Sequence, residues 1–259
     1  DITGAVLANI VDADVYENWT DVSGFMVVDP RIIPNPISIS RITYSELREM
    51  SYMGANVLHD DSVFPVREKN IPINIRNTNE PDHPGTMIME DCSEMDKEDP
   101  PHAITGITGR KNYTVISLTK AHSSAEIGFL RKVLQIFEKY NVSIEAVPVT
   151  VDTYSIVVQT HLINHCLYEI IGELKETVHP EDIRVEDHQA MIAVVGREMK
   201  QRAGISGQLL SEFGRNKINI RTISQSSYEL TIMIGVSDND FEKSIKAIYE
   251  KFVAEEKKQ

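Results

Sequence analysis

The densest run of side chains able to handle a charged ligand is Trp19-Thr20-Asp21-Val22-Ser23-Gly24-Phe25, followed closely by Asp29-Pro30-Arg31. A strand that ends in hydroxyl and carboxylate groups and turns at a glycine presents them at its carboxyl end, where α/β proteins place ligand contacts. A surface loop with a turn glycine has the same composition. Motifs as short as Thr-Asp and Asp-Pro-Arg recur by chance, so spacing alone favours the loop. His161, His165 and Cys166 come nearest to a metal-ligand set. His161 precedes a helix predicted to start near Asn164, so the group does not share a face and no metal site is expected. His59 reads as packing or capping a turn rather than as a base, and Met50 and Met53 read as core residues.

These groups need elements to hold them. A helix is predicted to start within Thr3 to Val11, a strand runs from Val15 to Trp19, a helix from Tyr44 to Met53 and a strand from Ile71 to Ile75, an alternation that indicates α/β. The stretch Asp91 to His102 is acidic and polar and ends in two prolines, which marks a linker. Beyond it lies an internal repeat: Gly128, Phe137, Val142 and Ile144 recur 76 positions later as Gly204, Phe213, Ile218 and Ile220. In the first copy Thr114 to Leu118 alternates as a strand, and Ser123-x-x-Glu126 has the form of a capping box. Ile127, Leu130, Leu134 and Phe137 then form one apolar helix face. Strands Val142 to Val149 and Tyr154 to Gln159 and a helix from Leu167 to Glu176 complete a βαββαβ order. The second copy places a strand at Met191 to Val195, a helix at Ile205 to Phe213, strands at Ile218 to Ile223 and Glu229 to Gly235, and a helix at Phe241 to Phe252. Such units leave an edge strand free, so side-by-side pairing is expected.

Bulk properties narrow the class. The 41% hydrophobic and 25% charged residues of this 259-residue chain describe a globular protein of two or three units rather than a disordered or fibrous one. A formal net charge of −13 argues against nucleic acid, which is gripped by clustered Lys and Arg. Cys92 and Cys166 match no paired spacing, no apolar run approaches the ~18 residues of a membrane span, and a reducing cytoplasm fits both facts. The opening Asp1-Ile2-Thr3-Gly4 reads as the middle of a longer protein.

The order DITGA, ENWTDVSGFMVVDPRIIPNP, ELREMSYMGANVLHDDSVFPVREKNIPINIRNT and PGTMI closely resembles the C-terminal half of the aspartate kinase catalytic domain. The repeat resembles the two ACT modules that follow it in that family, with Ser224-Gln225-Ser226-Ser227 similar to the second-module signature. The implied fold is α/β and α+β, a partial amino-acid-kinase domain followed by two ferredoxin-like βαββαβ ACT domains. Its implied divisions are residues 1–91 for the kinase part, 92–102 for the linker, 110–185 for the first ACT domain, and 103–109 plus 186–256 for the second. Ala103 to Gly109 read as an extra strand before the first copy, which the resemblance assigns to the second module's sheet, so the first module would be inserted into the second.

By this resemblance Asp1 holds the amino group of L-aspartate, Thr20 and Asp21 contact the nucleotide, and Arg31 lies near the ATP phosphates, with Mg²⁺ implied. Asn56, beside Val57, stands where the family often has a phosphate-binding lysine, and Met26 stands where a tyrosine often meets the ribose. The family's Lys-Phe-Gly-Gly motif and Gly-rich phosphate loop have no counterpart, so this polypeptide alone is not expected to turn over.

The resemblance also places an amino-acid effector, lysine first among candidates, where two first modules pair in a homodimer or larger oligomer. Its contacts would be Ser123, Glu126, Phe129, Leu130, Ser143, Ile144, Glu145 and Thr150. Helix-start amides would take the effector carboxylate, and Glu126 and Glu145 its cationic side chain. A plainer reading leaves Glu126 to the capping box and Glu145 to solvent. Switching a kinase nearly completely requires about 5.5 kcal/mol of differential affinity, which favours two or more linked effector sites. A regulatory subunit without catalysis remains an alternative. A glutamate or carbamate kinase is disfavoured, because duplicated ACT modules are not their usual partners.

Overall fold

The computed structural model describes residues 1–54, 58, 60–98 and 102–254. Its amino-terminal part runs α1 (Ile2–Ile10), β1 (Tyr16–Thr20), β2 (Arg41–Thr43), α2 (Tyr44–Tyr52), α3 (Asp60–Arg67), β3 (Ile73–Asn77) and β4 (Thr86–Met89). The strands form one sheet in the order β1-β3-β4-β2, with β1 parallel to β3, β3 antiparallel to β4 and β4 parallel to β2. Ile73, Ile75 and Ile88 are buried at its centre. Helix α1 buries Ala5 and Ala8 but leaves Ile2, Leu7 and Ile10 exposed. Within the polar stretch read as a linker, α4 (Ser93–Glu98) forms instead of a featureless connection. Asp91 starts it, accepting hydrogen bonds from the backbone N–H and hydroxyl of Ser93.

The carboxy-terminal part is β5 (Gly106–Thr119), α5 (Phe129–Lys139), β6 (Thr153–Gln159), the short α6 (Thr160–Ile163), α7 (Leu167–Val178), β7 (Asp182–Val195), α8 (Ile205–Arg215), β8 (Thr222–Gln225), β9 (Thr231–Ser237) and α9 (Phe241–Tyr249). A wider helical turn carries α9 on through Ala254. The strands make one antiparallel sheet in the order β6-β5-β7-β9-β8. Two strands expected to be separate, Ala103 to Gly109 and Thr114 to Leu118, join in one 14-residue strand that begins only at Gly106 and whose register shifts between Arg110 and Tyr113 and again before Val115. Strand β7 likewise runs back past Met191 to Asp182. Residues 106–110 pair with 191–195, and 113–119 with 182–189.

Alternation along these strands explains how the parts adhere, because successive side chains in a strand face opposite sides. Ala190, Ile192 and Val194 join the helices of the second module, whereas Met191, Ala193 and Val195 join the core of the amino-terminal part. Ile116 and Leu118 face the first module's helices, while Tyr113 and Val157 face the amino-terminal core. One side of the sheet therefore carries the helices and the other is sealed against the amino-terminal part.

Two expected elements differ. The segment Val142 to Val149 is not a regular strand: its backbone follows β6 through isolated bridges at Ala146 and Val149, because Pro148 lacks an N–H to continue the ladder. The strand expected from Ile218 begins only at Thr222. Among the described residues no helix is long and apolar enough to cross a membrane.

Candidate functional site

The turn after β1 is built by a glycine and a threonine. Gly24 has φ of 93°, and a Cβ there would lie 2.3 Å from Oγ1 of Thr86. That hydroxyl accepts from the backbone N–H of Phe25 at 2.8 Å and donates to the carbonyl of Ile39 at 2.6 Å, locking the turn against β4. Residues 25–27 then pair with 37–39, and the N–H of Ile107 on β5 donates to the carbonyl of Val27 at 2.7 Å. The next turn is closed by Asp29, whose carboxylate accepts from the backbone N–H of Arg31 at 2.8 Å, an Asx-turn, and from its guanidinium at 2.6 Å. The Arg31 hydrogen bond holds the Asp29 carboxyl below the usual range.

These turns line a cleft of about 700 Å³ between the amino-terminal part and the second module. Gly24, Met26, Arg31 and Gly54 form one wall, and Thr108 to Lys111 with Phe241 and Glu242 form the other. The volume falls in the range of about 300–1,000 Å³ usual for small-molecule sites. Of the residues expected to contact nucleotide, Met26 and Arg31 therefore come together. Thr20 and Asp21 lie just before, at the end of β1, with the Thr20 hydroxyl 3.2 Å from a carboxylate oxygen of Asp21. Asn56 and Val57, like His59, fall outside the described residues. Asp1 is held from the underside of β1: the amide of Asn18 donates to its carboxylate at 3.0 Å and the hydroxyl of Tyr16 to its carbonyl at 3.0 Å.

The expected effector residues divide. The capping box at Ser123 and Glu126 does not form. Ser123–Ala125 is a single tight turn, Gly128 takes φ of 80°, and α5 starts only at Phe129, so Ile127 is 98% exposed rather than on the apolar face. Glu126 instead accepts from Lys120 at 2.6 Å and Lys132 at 2.8 Å. Hydrogen bonds from Lys120 and then Lys132 bring its pKa down to about 2. A depressed carboxylate stabilises the fold above its ordinary pKa and loses that effect as pH falls through the lowered value, so this ion pair is intact at neutral pH. The hydroxyl of Ser123 is buried and has no hydrogen-bond partner among the described residues. Phe129 is buried against Tyr154, ring centres 4.7 Å apart, and Leu130 and Ile144 pack at the edge of the same core. Ser143 is exposed, and Thr150 bonds through its backbone to Thr153 at 2.8 Å.

Glu145 is not left to solvent. Its carboxylate accepts from the hydroxyl of Tyr52, at the end of α2, at 2.7 Å and from the amide of Gln159 at 2.6 Å. Burial, then the hydrogen bond to Glu145, raises the Tyr52 pKa to about 12. The first module thus touches the element that leads into Gly54 and the cleft.

A second junction escaped the sequence reading. Glu46, with no exposed side-chain surface, accepts from Thr105 at 2.6 Å, from the backbone N–H of Arg197 at 3.0 Å and from its guanidinium at 2.9 Å. The same guanidinium reaches Asp96 of α4 at 2.8 Å, and Arg41 of β2 reaches Asp96 at 2.7 Å. Burial works against the Asp96 charge, yet the hydrogen bonds from Arg197 and Arg41 hold its carboxyl below the usual range. The available signal was Thr43-x-x-Glu46, a capping box that does form here. Among the described residues, no group of three or more His, Cys, Asp or Glu is placed to hold a metal.

Comparison with known proteins bears on this arrangement. Residues 1–77 match the model of the amino acid kinase family and residues 192–252 that of the ACT domain. Aspartokinase 3 of Bacillus subtilis (strain 168) is 35% identical over 98% of this chain and 55% of its own length. The crystal structure of Clostridium acetobutylicum aspartate kinase is 46% identical with a TM-score of 0.91, over 97% of this chain and 57% of that one. E. coli aspartokinase III is similar in fold in two complexes. With aspartate and ADP (R-state) the TM-score is 0.76 at 23% identity, over 96% of this chain and 54% of that one. With lysine and aspartate (T-state) it is 0.77 at 22%, over 97% and 55%. The chain spans about half the length of the curated relatives it matches.

Proposed function

We propose that this chain is part of an aspartokinase, and that the full-length protein transfers the γ-phosphoryl group of MgATP to the side-chain carboxylate of L-aspartate. We propose further that an amino acid bound at its ACT modules controls this activity by feedback. The observation that carries the reading is the cleft formed by Gly24, Met26, Arg31 and Gly54, in a segment matching the amino acid kinase family. In the transfer, an oxygen of the aspartate carboxylate forms a bond to the γ-phosphorus as the bond to the β-phosphate oxygen breaks, yielding aspartyl phosphate and ADP. Such a reaction depends mainly on positioning and on cations that spread charge. Asp1 would hold the substrate ammonium. Thr20, Asp21, Met26, Arg31, Asn56 and Val57 would hold the nucleotide, and Mg²⁺ would arrive on its phosphates.

In this reading residues 1–91 belong to the kinase domain, whose remainder would cover the apolar outer face of α1. Residues 92–102 link it to the regulatory part, 110–185 are the first ACT domain, and 103–109 with 186–256 are the second. Lysine is the proposed effector, by analogy with the E. coli complex and from the first module's chemistry. Its carboxylate would meet the uncapped start of α5 and the unpartnered hydroxyl of Ser123. Its ammonium would compete with Lys120 and Lys132 for Glu126, or with Tyr52 for Glu145. Pairing of first modules would make a homodimer or larger assembly, in the cytoplasm.

The test is ADP release by the full-length protein with MgATP. Release that requires L-aspartate and falls as lysine is added is the expected result. Release without aspartate, or in response to glutamate instead, contradicts the assignment.

A further inference from the structure

Among the described residues three cations line the cleft: Arg31, Arg110 and Lys111. Two are already neutralised. Arg31 pairs with Asp29 at 2.6 Å, and Lys111 pairs with Glu242 at 2.5 Å while its ammonium lies 5.3 Å from the ring centre of Phe241. Arg110 differs, since among the described residues it has no carboxylate at ion-pair distance. Its side chain crosses directly over Gly54, where an added Cβ would lie 3.2 Å from Nε of Arg110 and where φ is 114°. The side chain is partly buried, close enough to the phenols of Tyr52 and Tyr113 for its charge to offset part of the rise that burial and Glu145 impose on both. A guanidinium cannot shed its proton to relieve such a position. In a protein of net charge −13, an unpaired arginine facing a cleft is a local demand for an anion.

We propose that Arg110, a residue of the regulatory sheet, binds the phosphate chain of the nucleotide in this cleft. The proposal rests on the reading of the cleft as the nucleotide site. The planar guanidinium suits two-pronged contact with phosphate oxygens, whereas Arg31 must first loosen its hold on Asp29. Position adds a consequence. Arg110 lies where β5 changes register between the two modules, so a rearrangement of the modules would carry it toward or away from the phosphates. Nucleotide and effector would then influence each other's binding reciprocally.

The experiment is calorimetric titration of the full-length protein with ADP, and separately with adenosine, for the unaltered protein, Arg110→Gln, Arg110→Lys and the control Lys139→Gln. Arg110→Gln should weaken ADP by about 10- to 100-fold, the scale of a lost charged hydrogen bond, and leave adenosine unchanged. Arg110→Lys should fall between, and Lys139→Gln should change ADP less than about threefold, because that lysine pairs with Glu173 outside the cleft. Equal ADP affinity in Arg110→Gln and the unaltered protein overturns the proposal, as does parallel weakening of ADP and adenosine, which would mean that Arg110 only shapes the cleft. If the unaltered protein binds neither ligand, the nucleotide reading of the cleft fails and the proposal with it. Should Arg110→Gln not fold, Arg110→Lys decides: ADP must weaken several-fold with adenosine unchanged.

Discussion

Replacing Arg197 by methionine should destabilise the protein by about 3–5 kcal/mol, the cost of leaving a buried charge without its partner. The charge left behind is Glu46, which has no exposed surface and receives the Arg197 guanidinium at 2.9 Å. Methionine keeps much of the side-chain volume, so the loss would reflect electrostatics rather than a cavity. Urea unfolding measures it. The double variant Glu46→Gln/Arg197→Met should recover a substantial part of the loss, because removing both partners leaves no buried anion. A change below about 1 kcal/mol in the single variant, the range of an exposed ion pair, would show that the network does not join the parts as described. The contact between Arg197 and Asp96 adds a pH dependence of known sign. With its folded pKa depressed, Asp96 stabilises the junction above its ordinary value and loses that effect as acid protonates it.

The second large effect concerns substrate. Asp1→Asn in the full-length protein should raise the KM for aspartate by about 10- to 100-fold, the scale of a lost charged hydrogen bond. Asparagine preserves the shape and can still accept from the Asn18 amide, which reaches the Asp1 carboxylate at 3.0 Å, so the change isolates the charge. KM should rise more than kcat falls if the carboxylate grips the substrate ammonium equally before and during transfer. An aspartate KM within about threefold of the unaltered protein would remove Asp1 from the substrate site.

Much of this architecture was legible because apolar spacing survives in the sequence. Phe137 and Phe213 recur at a fixed interval and both are buried in helices α5 and α8. Local patterns failed where a longer-range partner decided the outcome. Ser123-x-x-Glu126 and Thr43-x-x-Glu46 look alike, yet only the second is a capping box. Left-handed backbone at His122 and Gly128 delays the helix after the first, and two lysines outside the four-residue pattern take its glutamate. Strand β7 was read only from Met191, because Glu186, Asp187 and His188 are exposed and offer no apolar alternation. Glu46, Arg197 and Asp96 stayed invisible because charged residues are ordinarily exposed, and nothing local signals that three distant ones meet under a sheet. Arg110 was hidden for a related reason, falling in the gap between two strands that are in fact one.

The site itself was legible in proportion to its continuity in sequence. Gly24, Met26 and Arg31 share one turn and reach one cleft, whereas the opposite wall, Thr108 to Lys111 and Phe241, comes from residues far along the chain. Glu145 was chosen for its charge, but its contact with Tyr52 crosses between parts and could only be seen in three dimensions.

The account turns on the proposed amino-acid sensing by the first module, whose Glu145 meets Tyr52 of the amino-terminal part, and calorimetry of this chain with lysine, threonine, methionine and leucine, alongside its mass in solution, tests it most directly. Lysine binding near one per chain, with the mass shifting to a dimer, is the predicted result. A folded chain that takes up none of the four would contradict the effector site at Ser123, Glu126 and Glu145.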